Sequence, residues 1–313
     1  MNALQKMLLR FFLRLHKVAI SFGIFILPVH YSVGVPNIVE LSKKKHLWSK
    51  RSSLPGLDTT LDRQVSNLRT ICLPYQTEYK GNSTYLEAVK LNAGPGFGYL
   101  EAQALHSVVR YYHPKTILEV GAGVSTYCLK HATELNSKEN AEGCRIISVD
   151  PYPTDFVRRI SGIELISREV QEIPLDIFEQ LTKNDLLLID SSHTVRTGSD
   201  VNHLVLEVLP RLRPGVIVHF HDIFLPYDYQ RNALQTLFHW SETSLLRAFL
   251  IDNVHAEILF CMSMLHYDRK NDMKEVFPEY LPQADDEGLN GERVKPFDYP
   301  SGEFPASLYF ITK

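Results

Sequence analysis

The chain has 313 residues, of which 44% are hydrophobic and 22% charged. This is ordinary globular composition with ample core, and it excludes a disordered or fibrous chain. A net charge of −3 lacks the basic bias of a nucleic-acid binder, and four scattered cysteines without a C-x-x-C pair exclude a zinc knuckle or disulfide framework and fit a reducing, cytoplasmic setting.

The N-terminus departs from this average. Lys6, Arg10, Arg14 and Lys17 recur at helical spacings and form one basic stripe. Leu4, Met7, Leu8, Phe11, Phe12 and Leu15 cover much of the remaining surface. That pattern fits a helix lying in a membrane interface. The apolar run VAISFGIFIL (18–27) follows and stops at Pro28, well short of the roughly 20 residues a span needs. A signal peptide is a rival reading, although no A-x-A-like cleavage site follows. A helix packed by its apolar face on the rest of the chain is a third. Residues 1–26 are therefore a basic amphipathic segment, with peripheral contact to the inner face of a membrane as one expectation.

Residues 27–95 form an N-terminal extension in which Pro36, Pro55-Gly56 and Pro74 break any long period, leaving short helices over 37–47 and 58–71. Steady α/β alternation begins near 97. Leu100, Ala104, Leu105, Val108 and Val109 share one face and predict a helix over 99–112, stopped by His113-Pro114. Strands are predicted at 116–120, 145–150, 162–167, 185–190 and 215–220. Helices are predicted at 124–136, 154–161, 174–182 and 199–212. Near-continuous apolar strands alternating with helices point to a parallel sheet covered on both faces. A helix at 231–249 and a strand at 255–261 close a core over 96–265. A polar, turn-rich stretch (266–305) and a last strand in SLYFITK make up the C-terminal segment, 266–313.

Ligands of open α/β sheets bind beyond the carboxyl ends of the strands. Chemistry gathers there: Glu119 before the turn Gly121-Ala122-Gly123, then Asp150, Asp190-Ser191, and His221-Asp222. The glycines let the backbone turn tightly and approach a ligand, and the helix behind them, starting with Ser125 and Thr126, offers unpaired N–H groups. A dinucleotide fingerprint wants a third glycine where Thr126 stands, which weakens a nicotinamide reading. Asp150 suits the two hydroxyls of a ribose.

Acid, G-x-G, and acids ending the second and fourth strands together resemble a class I S-adenosylmethionine-dependent methyltransferase. LLLIDSSHTVRTGSDVNHLVLEVLPRLRPGVIVHFHDIFLPYDY (186–229) more specifically resembles the family known as methyltransferase domain 24. GPGFGYLEAQALHSVVR (94–110), LPVHYSVGVPNI (27–38) and WSETSLLRAFL (240–250) are also similar to it, with Ser241, Thr243 and Gln230 as departures. The resemblance implies a doubly wound, mostly parallel seven-stranded Rossmann-like sheet with an N-terminal helical extension. It implies S-adenosylmethionine as cofactor, bound by Glu119 at the methionine end, the Gly121–Gly123 backbone with Ser125 and Thr126, Asp150 at the ribose, and Asp190-Ser191. Residues around Gln171 would meet the adenine.

Methylating a hydroxyl needs a base or a metal that lowers its pKa. His193 lies just beyond the fourth strand, and His221 and Asp222 end the fifth. Three roles stay open: His193 or His221 as a base oriented by Asp222; Asp190, His221 and Asp222 as ligands of a divalent metal ion; or a set that only ties the loops together. His219, one pleat inside its strand, reads as a core histidine. The expected enzyme methylates an oxygen of a small molecule or glycan. A metal-dependent hydroxylase on the same fold and a non-catalytic, membrane-associated adenosine-ligand-binding module are the alternatives.

Overall fold

The computed structural model of the protein describes residues 3–94, 96–140, 143–283, 288–290 and 301–313. The side chains of Leu4 and Lys6 and part of the predicted turn-rich stretch lie outside the described residues. The chain divides into two compact units, Met1–Trp48 and Ser49–Lys313.

The first unit contains helix α1 (Ala3–Ile20) and two short helices, Ile38–Lys43 and Lys45–Trp48. Among the described residues, no helix is long and apolar enough to cross a membrane.

The second unit is built on seven strands: β1 (Thr116–Val120), β2 (Arg145–Val149), β3 (Glu164–Ile166), β4 (Leu186–Ile189), β5 (Ile217–Phe220), β6 (Ala256–Cys261) and β7 (Leu308–Thr312). Their order is β3-β2-β1-β4-β5-β7-β6. The first five pair in parallel; β7 enters antiparallel between β5 and β6. This is the doubly wound, mostly parallel sheet that the resemblance implies. Side-chain alternation feeds two apolar layers. Ile117, Leu186, Leu188 and Ile217 enter one; Leu118, Leu187, Ile189 and Val218 enter the other. Because both faces are covered, the strands read as unbroken apolar runs.

The helix predicted over 99–112 is α4 (Tyr99–Tyr112), preceded by α2 (Leu61–Cys72) and α3 (Ser83–Lys90). His113 ends α4 in the left-handed region, with φ +48. The helix after the glycine turn is α5 (Val124–Asn140). Elsewhere the structure departs from the pattern. The predicted helices over 154–161 and 174–182 shrink to single turns at Val157–Arg159 and Asp176–Glu179. The one over 199–212 changes hydrogen-bond register through a π turn at Leu204–Val208. The helix expected at 231–249 is only α6 (Glu242–Leu250). The stretch expected to be turns from 266 instead begins in α7 (Met262–Asp268) and α8 (Lys270–Val276), whose Leu265, Met273 and Val276 are buried in the core. That apolar spacing is short and is easily lost among charged neighbours.

Candidate active site

The carboxyl ends of β1, β2, β4 and β5 bring the predicted residues together. Gly121 turns the chain out of β1 with φ +86, and a Cβ there would lie 2.1 Å from the carbonyl oxygen of Asp190. Only glycine fits. Gly123 has no such demand; its nearest neighbour would be the Ala93 carbonyl at 3.6 Å. Asp150, half-buried at the end of β2, braces the turn: Ala122 N–H donates to its Oδ2 (2.9 Å) and Tyr152 N–H to its Oδ1 (2.6 Å). Each oxygen keeps a lone pair for a ribose hydroxyl. A Cβ on Gly94 would come within 3.5 Å of Gly123 Cα, so the Gly94–Gly98 segment starts against this turn.

Glu119, the residue expected at the methionine end, is engaged by hydroxyls of the protein itself. Its side chain is fully buried, and its carboxylate accepts from Ser125 (2.6 Å), Thr126 (2.7 Å) and Ser148 (2.6 Å). Burial pushes the carboxyl up to about 7, against the pull of those hydroxyls. Ser125 and Thr126 are turned inward with it. Gly123 N–H also donates to Thr126 Oγ1 at 2.9 Å. The position where a dinucleotide fold wants glycine therefore holds a hydroxyl that clamps the turn to Glu119. Ser191 is likewise engaged, donating to Glu242 at 2.7 Å. Gln171 donates to Glu169 and to the Gly198 carbonyl.

The second cluster lies beside the first. His193 Nε2 is 3.4 Å from Asp190 Oδ1 and 3.6 Å from Asp222 Oδ2. His221 Nδ1 faces the same two oxygens at 3.3 and 3.5 Å. Behind each imidazole stands a buried glutamate: Glu242 at 2.8 Å from His193 Nδ1, and Glu101 at 3.0 Å from His221 Nε2. Glu101 also accepts from Ala306 N–H (2.9 Å) and Ser307 (3.0 Å), which tie it to the C-terminal segment. Phe97 stacks on His221 at 4.9 Å, and Trp240 packs on His193 at 4.6 Å. His193 and Asp222 both hold φ +56, a costly backbone for such residues that the surroundings must enforce.

Charge follows from this crowding. Burial disfavours an imidazolium at His193, but ion pairing with Asp190 and Glu242 outweighs it and pushes the group up to about 10. His221 is raised well above its ordinary value in the same way, burial being overcome by Glu101, Asp222 and Asp190. Asp190 is held well below the carboxylate range, since His221 and His193 overcome its burial. Asp222 goes the other way, pushed by burial up to about 6. His219 is a core residue, as expected: it hydrogen-bonds Ser307 at 2.9 Å, stacks on Tyr309 at 4.2 Å, and is pushed down to about 3 by burial.

Asp190, His193 and Asp222 each offer one ligand atom, and the three atoms lie within 4.8 Å of one another. The expected metal set named His221 where this group has His193. His221 lies beside the group with its Nδ1 buried and without a hydrogen bond. Sequence reasoning missed Glu101 and Glu242. Glu101 had a signal, being an acid four residues before Leu105 on the apolar face of its helix; Glu242 had none.

Residues 118–223 match a family described as a methyltransferase domain. An uncharacterized protein of Archaeoglobus fulgidus is 27% identical over 169 residues, covering 50% of this chain and 74% of its own. Among solved structures, the O-methyltransferase TomG of Streptomyces achromogenes, involved in tomaymycin synthesis, is 13% identical, covers 79% of this chain and 98% of its own, and has a TM-score of 0.44. The methyltransferase PaMTH1 of Podospora anserina is 14% identical, covers 74% of this chain and 92% of its own, and has a TM-score of 0.37. The matched segment runs from β1 past the end of β5 and takes in the glycine turn and most of the ion cluster, so it is there that the chain is similar to a methyltransferase domain.

Proposed function

We propose that the protein methylates an oxygen of a small molecule or glycan, with the acceptor oxygen held beside a divalent cation at Asp190, His193 and Asp222. S-adenosylmethionine supplies the sulfonium methyl group. The chain's part is to hold the two reactants in line, which by itself removes much of the barrier. The Gly121–Gly123 backbone and Asp150 suit the adenosyl part, and the ion cluster lies at the neighbouring strand ends. The observation that carries the metal reading is the convergence of three ligand atoms, with a fourth buried nitrogen, His221 Nδ1, facing the same two aspartates at 3.3 and 3.5 Å.

The donor set fits a cation in two further ways. Each imidazole has a carboxylate on its far nitrogen, the arrangement that orients histidine ligands. Mixed carboxylate and imidazole donors admit manganese, iron or zinc as well as magnesium. A cation there would lower the pKa of an acceptor hydroxyl. Neither imidazole turns a nitrogen away from the surrounding carboxylates, which counts against His193 or His221 as the general base. Asp222 is the better base if no metal is used, since burial keeps its carboxyl close to neutrality. No observation favours the hydroxylase-like or the non-catalytic reading.

Titration calorimetry with S-adenosylhomocysteine, with NAD as control, tests the cofactor. A parallel titration with Mn²⁺ compares the wild type with Asp222→Ala. Binding of S-adenosylhomocysteine but not NAD is expected, as is Mn²⁺ binding that Asp222→Ala removes while S-adenosylhomocysteine affinity stays within a few-fold. A folded protein that ignores S-adenosylhomocysteine overturns the whole reading. One that binds it but ignores Mn²⁺ overturns the metal and leaves Asp222 as the base.

A further inference from the structure

The first unit carries chemistry that methyl transfer does not use. Among its described residues only Ala19 is a buried hydrophobic side chain. Met7, Phe11, Leu15 and Val18 of α1 are exposed, and beyond the helix Phe22 and Phe25 are 75% and 74% exposed. An apolar surface of this extent is rare on a soluble monomer and marks an interaction face. Arg10, Arg14 and Lys17 fall on one side of α1, opposite Leu8, Phe12 and Leu15, at about 100° per residue. The first acidic residue of the chain is Glu40, so nothing in this segment neutralises the stripe.

The end of α1 decides how such a segment could meet a bilayer. Gly23 adopts φ +72; its N–H donates to the Ile20 carbonyl (2.9 Å), and the N–H of Ile24 reaches back to Ala19 (3.0 Å). This is a glycine cap that closes the helix. The chain then doubles back: the rings of Phe25 and His16 are 5.3 Å apart, and His16 Nδ1 lies 3.1 Å from the Ile26 carbonyl. The apolar run after the helix therefore lies along it instead of lengthening it into a span. The product is a shallow apolar wedge with a cationic edge.

We propose that α1 and the returning segment through Leu27 dock the protein on an anionic lipid bilayer, with the apolar wedge in the interface and Arg10, Arg14 and Lys17 at the headgroups. A basic amphipathic helix binds by buried apolar area together with attraction to anionic lipid. Each basic side chain near such a surface strengthens binding about fivefold. Binding is peripheral and salt-sensitive.

The test is co-sedimentation of the full chain with vesicles of phosphatidylcholine alone or with about 30% phosphatidylserine. The wild type is expected to pellet with the anionic vesicles and to be released by salt. The triple variant Arg10→Gln, Arg14→Gln, Lys17→Gln should bind about a hundredfold more weakly, with its melting temperature and S-adenosylhomocysteine affinity unchanged. A second variant, Phe22→Ser with Phe25→Ser, should lose binding without loss of charge. Equal binding to both vesicle types would overturn the electrostatic part of the proposal. No vesicle binding, with a mass that rises with protein concentration, would overturn it outright and assign the apolar face to a second copy of the chain.

Discussion

An enclosed carboxylate loses hydration that only a charged or hydrogen-bonded partner can restore. Glu101 and Glu242 meet that condition through His221 and His193, which gives them a positioning role behind the ion cluster. Removing such a partner typically lowers metal affinity by about 10- to 100-fold. Glu242→Gln and Glu101→Gln should each weaken Mn²⁺ binding by about that factor while leaving S-adenosylhomocysteine affinity within a few-fold. Calorimetry with both ligands checks it; equal losses for both would mean that the glutamates only hold the fold together. The residue types at the strand ends were legible because acids and histidines interrupt apolar runs there. Their directions were not. Glu119 stands before the turn as the pattern requires, yet it points inward to three hydroxyls.

At the scale of elements, the C-terminal segment does more than complete the sheet. It threads β7 between β5 and β6, and on the way it passes Ala306 and Ser307 to Glu101. Glu303, just before them, is pushed by burial, and secondarily by Glu101, from 4.5 up to about 7. A carboxyl whose folded pKa is raised binds its proton more tightly in the native state. Its contribution to stability is complete below pH 4.5 and is lost as pH rises through about 7. Glu303→Gln should flatten the fall in melting temperature across that window; the same slope in wild type and variant would rule the group out. Elements with long apolar periods, such as α4 and the parallel strands, were legible from sequence. The segment 231–241 was not, because its apolar residues mimic a helix while the backbone runs in turns until the N–H groups of Ser241 and Glu242 donate to the His193 carbonyl.

At the scale of the molecule, the two apolar layers draw their buried members from Leu54 to Phe310, all within the unit Ser49–Lys313. That unit holds every residue of the glycine turn and the ion cluster. A chain beginning at Ser49 should therefore melt in one cooperative transition within a few degrees of the full chain and bind S-adenosylhomocysteine equally well. Differential scanning calorimetry checks the first point. A broad or strongly lowered transition would show that the first 48 residues belong to the folding unit.

The sequence by itself determined the strands, the tight turn at Gly121, the acids that follow β2 and β4, the histidine and aspartate after β5, and the amphipathic character of the N-terminus. These are local properties: apolar period, backbone freedom and charge spacing all act within a few residues. Only the tertiary structure decided which of them face one another. Glu101 reaches His221 across 120 residues and Ser307 across 206, and the pattern along one chain carries no record of such pairings. It was packing that turned Thr126 into a clamp, brought His193 into the group with Asp190 and Asp222, and folded the apolar run after α1 back along the helix.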